Sequence, residues 1–263
     1  MSDPTVVLDD LRNESDELDR LVGELNADDW ARPTPAPRWS IAHQIAHLAW
    51  TDAAALLAVT DAEAFAVETE KAFAAPYSFV DDGAEQGAAQ PPAELLARWR
   101  DGREQLQKAL RAAPAGSRFP WYGPPMSVAS TATGRLMETW AHGQDIADAL
   151  GAVREPTDRL RHVAYIGVRA RDYAFSVRSL TPPTAAILVE LTSPGGQLWT
   201  YGPAEAEQRV SGPALDFCLL VTQRANRADL AVRAEGEDAD RWLDIAQAFA
   251  GPAGTGRAPK GAL

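Results

Sequence analysis

Residues 134–151 read GRLMETWAHGQDIADALG. Leu136, Met137, Ile146 and Leu150 recur at helical spacing, which predicts a helix with Glu138 and His142 one turn apart beside them. Residues i and i+4 of a helix lie nearly above one another, so the carboxylate and the imidazole point the same way, and Asp145 extends their row. Upstream, RWSIAHQIAHLAWTD (residues 38–52) repeats the step with His43 and His47 on a second predicted helix, for which Ser40 is a candidate cap. Three of the four histidines therefore fall on two helices. A divalent metal needs neutral imidazoles and a carboxylate converging from rigid supports, and two histidines with one glutamate leave positions open for water or substrate. Each pair taken alone is also an ordinary helix-surface pair, and spacing by itself leaves both readings standing.

The rest of the first half is helical as well. Val7, Leu8, Leu11, Leu18, Leu21, Val22 and Leu25 make one apolar stripe on an acidic helix. Further helices are expected over residues 61–74 and 92–113, with residues 77–92 as a long polar connection containing Gly and Pro. Four main helices predict a bundle, an architecture that builds metal sites from inward side chains. After residue 155 the pattern changes. A helix over 160–177 leads to two β-prone runs flanking SPGGQ (193–197). Strand, helix, strand and helix then follow over residues 207–250. The fold class is α+β: a helical bundle over residues 1–155, a smaller α+β domain over 156–250 and a flexible tail over 251–263.

Composition narrows the function. With 263 residues, 46% hydrophobic, the chain can bury a substantial core. A formal charge of −12 repels phosphate backbones and anionic lipid surfaces, so nucleic acid and membrane are not expected partners. No long apolar run or secretory signal is evident, and a cytoplasmic protein, monomeric or homodimeric, is expected. The one cysteine, Cys218, sits in the apolar run ALDFCLLVT and reads as a buried thiol. His162 reads as structural. Trp121, Tyr122, Trp199, Tyr201 and Phe217 read as core packing, with the lining of a pocket for an apolar small molecule as the alternative.

The stretches 38–52 and 135–151 resemble the DinB-like superfamily, and within it the mycothiol-dependent maleylpyruvate isomerase family, through a motif of the form R-x-x-E-x-W-x-H-G-x-D. Arg135, Glu138, Trp140, His142, Gly143 and Asp145 fill that motif. The resemblance implies a DinB-like bundle whose metal is held by His47, Glu138 and His142. The distance from Trp39 selects His47 and leaves His43 as a pocket residue. Asp145 is then an acceptor that orients a ligand histidine. Residues 210–243 resemble the family's second domain, whose active-site arginine corresponds to Arg224, with Arg227 one turn on as a further cofactor or carboxylate contact. Gln223 stands where the family often has glycine. The chain is more similar still to an actinobacterial metal-binding subgroup of unassigned activity.

The resemblance implies a divalent metal, zinc first and nickel or iron as alternatives, with mycothiol or another small thiol as cofactor. The reaction it implies is isomerisation or S-transfer on a small unsaturated or electrophilic molecule. Two alternatives remain at this stage: a thiol-independent Lewis-acid enzyme carrying out hydrolysis, hydration or cyclisation, and a non-catalytic metal- or ligand-binding protein.

Overall fold

The computed structural model describes residues 4–75 and 78–261. The chain forms two compact units, Met1–Arg154 and Glu155–Leu263.

The first unit contains α1 (Thr5–Val22), the short α2 (Ala27–Trp30), α3 (Ile41–Thr60), α4 (Ala62–Ala74), α5 (Phe79–Ala88), α6 (Pro92–Ala112), the two-residue strands β1 (Arg118–Phe119) and β2 (Met126–Ser127), and α7 (Val128–Leu150). At its centre lies α3, packed against α5, α6 and α7, while α1 lies along α7. The sequence requires this. Ile41, Ile45, Leu48 and Ala55 are fully buried and leave α3 little polar face, and a helix apolar nearly all round belongs inside. Around it Leu18, Val22, Trp30, Leu95, Trp99 and Ile146 complete the core. Proline at the start of α6 costs no hydrogen bond there, and Gly151, at φ +66°, ends α7 in the left-handed conformation.

One expectation is corrected. Most of the connection expected over 77–92 is the helix α5; Tyr77 lies outside the described residues. Its glycines, which read as breaks, are what let it approach α3. A Cβ on Gly87 would lie 2.6 Å from the Cβ of Ala46, and one on Gly83 would lie 3.0 Å from the Trp50 ring.

The second unit contains α8 (Leu160–Arg169), α9 (Arg171–Ser176), β3 (Ile187–Thr192), β4 (Leu198–Tyr201), β5 (Gln208–Pro213), α10 (Ala214–Val221), β6 (Arg233–Glu235) and α11 (Glu237–Ile245). Its sheet has the order β4-β3-β5-β6: β3 and β4 form the expected antiparallel hairpin, β5 runs parallel to β3, and β6 closes the edge antiparallel to β5. Helix-rich, with this four-stranded sheet and the β1-β2 pair of the first unit, the fold is α+β. The helix expected over 160–177 breaks at Ala170. The tail, expected to be flexible, is hydrogen-bonded along its described length: Tyr173 Oη to Gly251 O, Arg178 Nη2 to Gly254 O, Asn226 Nδ2 to Arg257 O, and Lys260 N to Asp229 Oδ2. Cys218 is buried, and burial pushes its thiol well above the ordinary range. Among the described residues no helix is long and apolar enough to cross a membrane.

Candidate metal centre

His47 on α3 and Glu138 and His142 on α7 offer three ligand atoms that all lie within 4.8 Å of one another. His142 Nε2 is 3.1 Å and His47 Nε2 3.4 Å from the same oxygen, Glu138 Oε2. Both imidazoles are buried, and the Glu138 side chain keeps 20% exposure.

The hydrogen-bond network assigns the His142 tautomer. Thr34 Oγ1 donates to Trp39 O and accepts from Gln44 Nε2, which turns Gln44 Oε1 toward His142 Nδ1. An amide oxygen can only accept, so Nδ1 carries the proton and the neutral ring presents a lone pair at Nε2. With the ring neutral, that lone pair and the carboxylate 3.1 Å away can share a cation; with a second proton on the ring, Nε2 donates to Glu138 Oε2 instead. This donor set fits a divalent ion: two borderline nitrogens and one oxygen on rigid central helices, with further coordination positions left open. Without an ion, burial pushes the Glu138 carboxyl up, but hydrogen bonds donated by His142 and His47 in their charged forms, together with those charges, outweigh it and hold the group well below the usual carboxylate range.

The role expected of Asp145 is thus filled by Gln44. Asp145 itself is 1% exposed on α7, one turn beyond His142. Sequence reading missed Gln44 although it stands between the two histidines of α3, because helical spacing gives a residue's face and not its partner. His47 has no comparable support. Its Nδ1 is enclosed without a hydrogen-bond partner, and its ring is steadied by Trp39, with centroids 5.3 Å apart, by Trp50 at 6.0 Å and by His142 at 4.6 Å. Trp39 also stacks on His142, its indole nitrogen donating to Asp81 of α5.

His43 lies outside the cluster. Its Nδ1 meets Ser40 N at 3.2 Å and Ser40 Oγ at 2.8 Å, and its Nε2 meets Glu85 Oε2 at 2.8 Å. The ring closes the start of α3, sharing the capping expected of Ser40 alone.

Two charged knots brace the helices. Arg135 donates through Nε to Asp52 at 2.8 Å, a pair buried on both sides that ties α7 to α3. Arg154 binds Glu14 and Glu17 of α1 and the Trp140 carbonyl of α7. A Cβ on Gly143 would lie 2.9 Å from Arg154 Nη1, so the motif's glycine makes room for this arginine.

In the second unit Arg224 follows α10, its backbone N donating to Leu219 O and its Nη1 to Thr222 O. Gln223 has φ +58°, a conformation natural to glycine, and its side chain bonds Ala246 O. The departure from the family pattern therefore keeps the glycine backbone. Arg227, expected as a cofactor or carboxylate contact, pairs through its terminal nitrogens with Asp240 and Asp244. Trp199 lies on β4, and Tyr201 Oη reaches Arg161 O. Phe217 is fully buried against Trp242. His162 is half-buried on α8.

Residues 11–147 match the family model of the mycothiol maleylpyruvate isomerase N-terminal domain. Residues 183–234 match a model described as wyosine base formation. A protein described as uncharacterized in two strains of Mycobacterium tuberculosis is 60% identical over 257 residues, covering 98% of this chain and 100% of the relative. Crystal structures of mycothiol-dependent maleylpyruvate isomerase and of a variant of it are similar with a TM-score of 0.59 at 17% identity, covering 90% of this chain and 96% of theirs. At that identity the likeness concerns the fold.

Proposed function

The chain belongs to the mycothiol maleylpyruvate isomerase family, and from that premise we propose that it is a cytoplasmic metal-dependent enzyme using mycothiol or a similar small thiol to isomerise, or transfer sulfur to, a small unsaturated or electrophilic acid. One observation carries the reading: the Gln44-locked tautomer aims the His142 lone pair at the atoms offered by Glu138 and His47. These three side chains would hold the ion, zinc in the first instance. When bound, it supplies the positive charge that keeps a thiol sulfur deprotonated near neutral pH.

The protein's own residues do the rest. Glu138 offers an anionic oxygen to the ion, 3.1 Å from His142 Nε2 and 3.4 Å from His47 Nε2. Arg224 pairs with a substrate carboxylate as a planar fork. The thiolate adds to the double bond, the adduct turns about what is now a single bond, and the same sulfur leaves, so the thiol is regenerated without oxidation or reduction. Cys218, buried and with its thiol pushed up, is no substitute nucleophile, which supports a thiol supplied from outside.

The test has two parts. Purified protein should contain about one divalent ion per chain, and turnover of maleylpyruvate or a related cis-unsaturated acid should require added mycothiol. Arg224→Ala should keep the ion and lose about one to two decades in rate, the worth of a charge-assisted hydrogen bond. Thiol-independent turnover would favour Lewis-acid chemistry instead, and an Arg224→Ala variant as active as the parent would remove the arginine from the site.

A further inference from the structure

Four buried polar side chains that the metal centre does not use, Ser15, Asp52, Gln107 and Arg135, gather around one cleft. It lies between α1 and α6, and its volume of about 390 Å³ falls within the range of small-molecule sites, about 300–1,000 Å³. The two helices are joined across it by side chains: Gln107 Nε2 donates to Leu8 O, and Arg103 reaches Asp16 and Asp19. Ser15 of α1, Asp52 of α3 and Gln107 of α6 line the cleft although they are only 5%, 4% and 5% exposed, which places them at its depth.

The hydrogen-bonding capacity at that depth is half used. Asp52 spends Oδ1 on Arg135 Nε, and Gln107 spends Nε2 on Leu8 O. Among the described residues, Asp52 Oδ2, Gln107 Oε1 and the Ser15 hydroxyl meet no hydrogen-bond partner, and neither does the enclosed Arg135 Nη2. Burying a charged group half-satisfied costs more than leaving a neutral one so, and an apolar pair would join α3 to α7 without that cost. The open capacity therefore points to something that enters the cleft.

Its chemistry follows from charge and from donor count. Nearer the surface, Arg12, Arg100 and Arg103 face Asp16, Asp19 and Glu104, and at the depth Arg135 offsets Asp52, so a charged ligand finds no counter-charge to spare. An acceptor and a donor left over on one ion pair call for a group that does both. A hydroxyl donates and accepts, whereas an ammonium only donates and a carboxylate only accepts. Leu11 and Leu106, 7% and 2% exposed, add apolar wall for a C–H face.

We propose that the cleft between α1 and α6 is a second ligand site, separate from the metal centre, that takes a small neutral polyhydroxylated molecule of monosaccharide size on Asp52, Ser15 and Gln107.

Saturation-transfer NMR and calorimetric titration of the full-length protein use D-glucose, D-galactose and D-mannose as probes. Controls of comparable size are cyclohexanol, with a single hydroxyl, choline as a cation and butyrate as an anion. At least one sugar should bind saturably, about tenfold tighter than any control. Ser15→Leu, which fills the cleft from α1, and Asp52→Asn should each weaken that binding about tenfold while metal content and helical circular dichroism stay at parental values. Where either variant fails to fold, Ser15→Ala, which removes only the hydroxyl and should weaken binding about threefold, decides in its place. No saturable binding of any sugar means that the cleft holds water only and overturns the proposal. A control that binds as tightly, or sugar binding undiminished in the folded variants, overturns it as well. A chain found without bound metal that still takes the sugar upholds the cleft and removes the metal reading, so the two failures are distinguishable.

Discussion

The first and second turns of α3 carry the same residue type at the same helical azimuth and use it for opposite ends. In the first turn, His43 spends both ring nitrogens on Ser40 and Glu85 and holds the helix start. In the second, His47 leaves Nδ1 unpartnered and turns Nε2 toward Glu138, in a cluster where His142 is already locked by Gln44. A satisfied histidine serves stability. One whose pairing is incomplete, held in place by packing, has binding capacity left over. The lesson concerns neighbours: a four-residue step puts two imidazoles on one face, and what packs against each turn decides which of them is available.

The largest expected effect separates the two turns outright. His47→Ala should reduce bound metal to well below one equivalent by elemental analysis, and His43→Ala should leave it near the parental value. The reverse result would assign the wrong histidine. A smaller effect is expected behind His142. Gln44→Leu removes the acceptor that fixes the tautomer and should weaken metal affinity about 10- to 100-fold in a chelator competition. Unchanged affinity would mean that packing alone orients the ring.

The metal-free protein sharpens the contrast through pH. Glu138 has a depressed folded-state pKa, so its contribution to stability is present at neutral pH and is lost as pH falls below the unfolded value of about 4.3. The stability advantage of the parent over Glu138→Gln, measured by urea unfolding, should therefore shrink between about pH 5 and pH 3. A constant advantage across that range would show that the histidines do not hold the carboxylate ionised. The smallest effect belongs to the first turn: losing its half of the cap, His43→Ala should cost about 0.5–1 kcal/mol of stability with no change in metal content. A loss well above that would mean that the Glu85 contact carries more than a cap.

Much of the architecture and the centre of the site is legible in the amino-acid order alone. The apolar stripes, the alternation after residue 155 and the motif around Glu138 and His142 lead to the family and to an α+β fold. What escapes depends on neighbours distant in sequence. Gly83 and Gly87 look like helix breaks until Ala46 and Trp50 are seen against them. Gln44 carries no signal of its own, since Thr34, which turns its amide toward His142, lies ten residues away in a loop. The partners of Arg227, Asp240 and Asp244, lie 13 and 17 residues away and are set by the fold. The tail, glycine-rich and polar, looks loose because its anchors are side chains of residues far upstream.

Arg154 carries a practical consequence for dissecting the protein. The last long helix of the first unit ends at Leu150, and an eye following secondary structure would cut there. Four residues later, Arg154 reaches back to Glu14, which is 1% exposed, and to the Trp140 carbonyl two residues before His142. A fragment ending at Leu150 would lose the ion pairs of Arg154 with Glu14 and Glu17 and its hydrogen bond to the Trp140 carbonyl. A piece that keeps these bonds together with the metal ligands therefore ends no earlier than Arg154, the last residue of its compact unit.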